Sequence, residues 1–418
     1  MAPGGAQGLV LQRDGHRGQA LLSSGLAFTR ADVAFLTSTE GVAALAEVAA
    51  LPLAGDRITD ITAVRSRYGA HTAVLVETTL LRRKAAAKLA GTEQWLFTDE
   101  ALQQATAAPV AAHRARRLAA RRVSDVTCSI GAELAALRET AAAVIGSDID
   151  PVRLAMARHN LDDAVLICRA DALAPVTADT VVVADPARRS AGRRRFHPRA
   201  YAPALDDLLE VYVGRDLVVK CAPGIDFAGL ADMGFRGEVE VTSWRASVRE
   251  ACLWSAGLAE SGVTRRATVL DTGEQITDAE DDDCGHGPVG RWIVDPDGAV
   301  VRAGLVRHYG ARHGLWQLDP EIAYLTGDSV PPGVRGFEVV AHLPFTEKAL
   351  RQALTSHDCG ALEILVRGVR VDPDELRRRM RPRGGTALSV VITRIGAGPA
   401  ARPHAFICRS PRPASAPR

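Results

Sequence analysis

The chain has 418 residues, 47% of them apolar and 5% aromatic, enough apolar material for two or three separately cored units, which excludes a mainly disordered protein. Its 51 Lys and Arg against 49 Asp and Glu leave a formal charge of +2, so overall charge argues for no nucleic acid, membrane or acidic partner. Seven scattered cysteines without a Cys-x-x-Cys pair, a start without a basic-then-apolar leader and no run near the roughly 18 apolar residues of a spanning helix predict a soluble, cytoplasmic chain with free thiols, no metal and no membrane partner.

Residues 1–25, glycine-rich and without pattern, are expected to form a flexible N-terminus. A helical region without strands follows over 26–122. Thr39 is placed to cap a helix carrying Val42, Leu45, Ala46 and Ala49, a second helix runs from Ala73 to Leu89 and stops before Gly91, and a third segment from Asp99 to Arg122 is broken or restarted at Pro109. From Val123 to 270 short apolar runs alternate with helical segments. VSDV, AAVIGSDI, VLICRAD, TVVVADP and DLVVKC each end polar or acidic, with helices between them at Ala132–Leu137, Pro151–Asn160 and Tyr201–Val213. That order predicts an α/β fold with a doubly wound parallel sheet, completed in antiparallel fashion by 238–244 and 249–255. The acidic, glycine-containing stretch 271–290 is expected to be a linker or loop. Residues 291–410 form a small α/β domain, whose second part runs strand, helix, strand, helix, strand, strand, and 411–418 a flexible tail.

Four segments carry the chemistry through their order and spacing. Asp125-Val-Thr-Cys-Ser-Ile-Gly131 closes the first strand and opens a helix, and small residues there allow a tight turn with backbone amides near a ligand. Asp148, 23 positions on, ends the next strand, where one carboxylate holds a ribose diol in dinucleotide-type folds, and Asp150-Pro151 makes a helix cap and first turn. Asp171, a further 23 positions on, is placed to accept from an adenine amino group. Asp185-Pro186 ends the most apolar strand. Each alone is ordinary loop or cap chemistry; four acids at successive strand ends are much harder to obtain by accident. A nicotinamide-dependent oxidoreductase would need Gly-x-Gly-x-x-Gly after the first strand, which DVTCSIGAEL lacks.

Residues Asp125–Arg189 resemble the cofactor core of class I methyltransferases, in particular the trimethylguanosine-synthase-like RNA enzymes, through DVTCSIGAE and SDIDPVRLAMARHN. The whole chain is similar to bacterial class I methyltransferases with a C-terminal THUMP-like domain, which share QWLFTDEALQQAT, the DPAR segment and KCAPGID. The resemblance implies a Rossmann-like methyltransferase sheet over 123–270, a helical N-terminal region, and a THUMP-like α/β domain over 291–410. It implies S-adenosyl-L-methionine as cofactor, with Asp125, Ser129 and Gly131 around its methionine part, Asp148 on its ribose and Asp171 on its adenine; Cys128, Ile149 and Ala172 complete the expected cofactor contacts. Asp185, with Pro186 and Arg188, is expected to form the catalytic group at the methyl-transfer site.

Two departures bear on the substrate. Ser129 stands where relatives often have glycine, and DPAR lacks the aromatic that follows Asp/Asn-Pro-Pro in enzymes methylating an exocyclic base nitrogen. DPAR is closer to the Asp-Pro-Pro-Arg of RNA 5-methyluridine enzymes, which place a nucleophilic cysteine after the next strand; Cys221 follows LVVK here, and a buried thiol is the preferred reading. Basic clusters at Arg114–Arg122, after Asp185 and at Arg377–Arg383 favour phosphate contacts, so Arg193, Arg194 and Arg195 are expected to bind substrate; Lys220, beside Cys221, is expected to lower the thiol pKa or to line the substrate pocket. The expected activity is methylation of an RNA base, on tRNA or rRNA. The alternatives are a non-catalytic RNA-binding protein with a degenerate cofactor fold, or a methyltransferase of a small molecule or protein.

Overall fold

The computed structural model describes residues 25–409 apart from 56, 90, 163, 188, 191–192, 195–197 and 397. The expected flexible ends, save Gly25, lie outside the described residues, as do Arg188 and Arg195. The chain divides into two compact units, residues 1–176 and 177–418.

The first unit opens with helices α1 (Arg30–Leu36), α2 (Thr39–Ala49), α3 (Ile58–Tyr68), α4 (Thr72–Ala85), α5 (Asp99–Gln104) and α6 (Ala108–Arg117). The cap of α2 is Ser38, not Thr39: its hydroxyl accepts from Gly41 N at 3.1 Å. The expected helix from Ala73 ends at Ala85, four residues early, and the Asp99–Arg122 segment is two helices, with Pro109 in the first turn of α6. Helices α1 and α3 had no clear periodic signal in the sequence. The core of these helices, including Leu36, Leu75 and Phe97, takes in Ile130 and Met156 from the α/β segment that follows.

That segment holds β1 (Arg122–Asp125), α7 (Ala132–Leu137), β2 (Ala143–Asp148), α8 (Pro151–Asn160) and β3 (Leu166–Arg169). The three strands pair in parallel, β1 with β2 and β2 with β3, so Asp125 and Asp148 end adjacent strands at the same edge. Asp150 fixes the start of α8 by accepting from Val152 N at 2.8 Å and Arg153 N at 3.2 Å, with Pro151 supplying a pre-set first turn.

In the second unit come β4 (Val181–Ala184), the two-residue strands β5 (Arg189–Ser190) and β6 (Arg193–Arg194), α9 (Leu205–Val211), β7 (Leu217–Cys221), α10 (Phe227–Asp232), β8 (Gly237–Ser243), β9 (Val248–Ser255), β10 (Arg265–Val269) and β11 (Glu274–Thr277). β4 and β7 are parallel; β9 runs antiparallel to both β7 and β8, and β10 returns parallel to β8. Part of the expected 271–290 loop is therefore a strand, because β11 pairs with β10, and Cys284 is buried.

Next follow β12 (Trp292–Val294), α11 (Gly298–Ala303), α12 (Val306–His313), β13 (Trp316–Gln317), β14 (Leu325–Gly327), β15 (Gly336–Pro344), α13 (Glu347–Ser356), β16 (Cys359–Arg367), α14 (Pro373–Met380), β17 (Thr386–Ile395) and β18 (Arg402–Arg409). Their strands form one sheet in the order β13-β14-β12-β15-β18-β17-β16. α13 and α14 pack Leu350, Leu354, Leu376 and Met380 against its apolar face.

Candidate functional site

In the first unit the loop between β1 and α7 is built from backbone hydrogen bonds. Asp125 is buried and its Oδ1 accepts from Thr127 N at 3.0 Å, turning the chain as the strand ends. Cys128 N then donates to Ser147 O at 2.9 Å, and Ser129 N donates to Asp148 Oδ2 at 2.9 Å. Asp150 N donates to the other carboxylate oxygen, Oδ1, at 2.9 Å. Asp148 is thus held by one amide from each flanking loop, and each oxygen retains a lone pair. Ser129 adopts φ +49° and Gly131 φ +88°, both left-handed. A Cβ on Gly131 would approach Leu161 to 2.8 Å, so glycine is required there twice over, by backbone and by space.

Cys128 faces inward. Its side chain packs with Leu134, Leu154, Leu161 and Val165. Burial, reinforced by the charges of Asp125 and Asp148, pushes the thiol well above its ordinary value. Cys128 therefore presents its backbone, not a thiolate, to the loop surface. A Cβ on Gly146 would meet Leu134 at 2.4 Å and the Cys128 sulfur at 3.1 Å, so glycine on β2 is what admits that sulfur. Ile149 is 62% exposed, and its carbonyl accepts from Arg169 Nε at 3.1 Å. Asp171 is exposed, its Oδ1 accepting from Leu173 N at 2.9 Å, and Ala172 beside it is buried.

Two residues that support this loop were not singled out from the sequence. Asn160, buried at the end of α8, accepts from Leu96 N at 2.8 Å and donates to Leu96 O and Ile130 O, each at 3.0 Å. It joins the QWLF segment of the helical region to the loop. Glu133, in the first turn of α7, pairs with Arg114 of α6, whose side chain is only 3% exposed. Arg114 is thereby removed from the basic cluster expected to meet phosphate, whereas Arg116, Arg121 and Arg122 are exposed.

In the second unit the register of β4 and β7 decides the geometry. Ala184 lies opposite Val219, which brings Asp185 beside Lys220. Lys220 Nζ sits 2.6 Å from Asp185 Oδ2; the lysine side chain is 7% exposed and the aspartate 35%. An ammonium buried at a strand end is held there by its paired carboxylate. Pro186 is buried and Ala187 bridges to Ala202. Arg193 and Arg194 lie in β6, paired through backbone with Ser190 and Arg189 of β5. Cys221 is fully buried. Ala222 N donates to Tyr201 OH at 3.2 Å, and Arg302 of α11 donates to Pro223 O and Ile225 O, fixing the KCAPGI turn.

The α13–α14 pair of the C-terminal sheet frames a cleft of about 780 Å³ lined by Arg351, Arg378, Arg379, Arg381 and Arg383. Arg379 pairs with Glu347 and Glu375, whereas Arg378, Arg381 and Arg383 make no ion pair among the described residues. Among those residues, too, no group of three or more His, Cys, Asp or Glu is placed to hold a metal ion, and no helix is long and apolar enough to cross a membrane.

A glycine-opened loop after the first parallel strand, an acid on the tip of the second and an acid-proline at the end of β4 belong to the architecture of class I methyltransferases. The solved structure of a provisionally assigned methyltransferase from Porphyromonas gingivalis W83 shares the fold, with a TM-score of 0.72 at 18% identity over 92% of this chain and 99% of that one. Two relatives in Mycobacterium tuberculosis, from strains CDC 1551 / Oshkosh and H37Rv, each called an uncharacterized S-adenosylmethionine-dependent methyltransferase, are 67% identical over 84% of this chain and their whole length. The chain belongs to that family of S-adenosylmethionine-dependent methyltransferases, and S-adenosylmethionine is its methyl donor. Residues 334–410 match a family described as THUMP domain-like, and residues 29–85 match a domain of unknown function (DUF8688).

Proposed function

We propose that this methyltransferase acts on an RNA base, in tRNA or rRNA. The observation that carries the proposal is the arginine-lined cleft within the THUMP-like match, since THUMP domains belong to RNA-modifying enzymes and three arginines of the cleft make no ion pair among the described residues. The residues of the β1–α7 loop fit the cofactor. Asp148, ordered by two amides, would hold its ribose hydroxyls, the exposed Ile149 would cover the adenine, Asp171 and Ala172 would meet the adenine edge, and the backbone of Asp125–Gly131, Cys128 and Ser129 included, would surround the methionine part.

The bound cofactor supplies a methyl group on a positively charged sulfur. The chain's own part is to place a nucleophilic base atom and to take up its proton. Asp185 is the proposed acceptor, Lys220 fixes the orientation of its carboxylate, and Pro186 shapes the strand end. Arg188 and Arg193–Arg195 follow Asp185 directly in the chain, and they are proposed to meet the flanking phosphates. The fully buried Cys221 disfavours a thiolate adding to a pyrimidine ring. With its free cysteines the protein is proposed to work in the cytoplasm.

The test is transfer of a labelled methyl group from S-adenosylmethionine to unmodified transcripts of tRNA and rRNA, followed by mass spectrometry of the nucleosides. A single new methylated nucleoside supports the proposal. Label that stays with small molecules or protein rejects it.

A further inference from the structure

The hairpin joining β8 to β9 ends in a two-residue turn, Arg245–Ala246, closed by Trp244 N donating to Ser247 O at 3.0 Å. Both turn residues are left-handed, with φ of +53° and +50°, positions usually given to glycine, asparagine or aspartate. Holding two side-chain-bearing residues there is costly and persists only where neighbours enforce it. The neighbours are present: Ala246 N donates to Asp271 Oδ2 at 3.0 Å, and Arg249 Nε donates to Trp244 O at 2.9 Å. The turn groups an indole and two guanidiniums, with the Arg245 carbon 4.3 Å and the Arg249 carbon 5.3 Å from the Trp244 ring centre. Neither arginine makes an ion pair among the described residues, and both are exposed.

Strand register fixes where this group stands. Cys221 lies opposite Ala251 on antiparallel β9, and Val248 opposite Ser243 on β8. The turn therefore projects past the end of β7, on the edge where Asp185 and Lys220 lie. With about two and a half strand spacings across the sheet and about five to six residues of rise beyond Lys220, the turn stands roughly 20 Å from Asp185. A stacked, unneutralised Trp–Arg–Arg group at that distance has the chemistry of a nucleotide platform, its guanidiniums offering both charge to phosphate and planar faces to bases.

We infer that Trp244, Arg245 and Arg249 bind a nucleotide a few positions along the strand from the methylated one and so hold the RNA strand across the sheet edge. This inference rests on the proposed RNA substrate.

It is tested with the full-length protein and a fluorescein-labelled 20-nucleotide mixed-sequence oligoribonucleotide, by anisotropy over a salt series. Arg245→Ala/Arg249→Ala should weaken binding about tenfold or more and flatten the log–log salt slope by roughly 1.4, at about 0.7 per lost phosphate contact. Trp244→Ala should weaken binding about tenfold with the slope kept. Arg245→Lys/Arg249→Lys, which keeps charge and removes planar stacking, should retain the slope and lose affinity, and it serves if the alanine pair folds poorly; cofactor affinity is the folding control. Parental slope and affinity in folded variants overturn the platform and leave the RNA proposal standing. No salt-dependent binding by the parent protein overturns both.

Discussion

Lys220 Nζ and Asp185 Oδ2 lie 2.6 Å apart because β4 and β7 run parallel in a register that sets the two strand-end residues side by side. The pair is asymmetric: the lysine is buried and the carboxylate is the partner that reaches the surface.

If Asp185 takes the proton and Lys220 aims it, Asp185→Asn should lower turnover about a hundredfold while cofactor affinity stays within about twofold. Lys220→Met should lower turnover too, and the double variant should lose less than the sum of the singles, since the two residues act as one unit. Single-turnover kinetics with cofactor titration separates these effects. Equal losses of turnover and cofactor affinity would instead give Asp185 a cofactor-binding or purely structural role.

Ser129 carries a backbone penalty that glycine would not. A left-handed conformation costs an ordinary residue about 1–2 kcal/mol, part of which glycine returns through a freer unfolded chain. Ser129→Gly should therefore stabilise the protein by up to about 1 kcal/mol, a rise of roughly 2 °C in Tm, with cofactor affinity unchanged. A lower Tm would show that the serine hydroxyl has a structural task.

Asn160 satisfies three buried backbone groups at once, Leu96 N, Leu96 O and Ile130 O. Asn160→Ala should cost about 2–4 kcal/mol in denaturant unfolding, and Asn160→Asp, which keeps only the acceptor for Leu96 N, should cost nearly as much. A loss below about 0.5 kcal/mol in both would mean that water replaces the side chain at no cost.

Local chemistry made some elements legible in the sequence. Helices α7 and α8 have the expected ends because Gly131, Asp150 and Pro151 are strong start signals, and β4 and β7 declare themselves as unbroken apolar runs bounded by Asp185 and by Lys220-Cys221. What depends on long-range partners was not legible. β11 carries Glu274, Gln275 and Thr277 and becomes a strand only because β10 pairs with it, and the segment from β12 to β14 has runs of two or three residues, too short for periodicity. The partners of Asn160 lie 30 and 64 residues away and those of Asp185 35, separations that no local pattern encodes. Trp244 gave no signal beyond its type, since its meaning comes from the register of β8 and β9.

Glu363 shows how the C-terminal domain should respond to acid. Arg335 donates to both its carboxylate oxygens, at 2.8 and 2.5 Å, and Ser389 Oγ donates at 2.8 Å; the Arg335 hydrogen bonds chiefly, against the effect of burial, hold its carboxyl below the ordinary value of 4.5. A depressed folded value means a contribution that is full above the unfolded value and lost as pH falls through the folded one. The Tm difference between the parent and Glu363→Gln should hold steady at neutral pH and close below about pH 4.5. A difference that widens in acid would reverse the sign of this coupling.

The most direct test is calorimetric titration of the full chain with S-adenosylmethionine, parent against Asp148→Ala. Asp148 is held by Ser129 N and Asp150 N with a lone pair to spare on each oxygen, so losing its two charge-assisted bonds to a ribose should cost about 2–4 kcal/mol. The expected result is one-to-one binding by the parent and at least about thirtyfold weaker binding by the variant, with the fold intact by circular dichroism. Equal affinities in two folded proteins would contradict the placement of the cofactor on the β1–α7 loop.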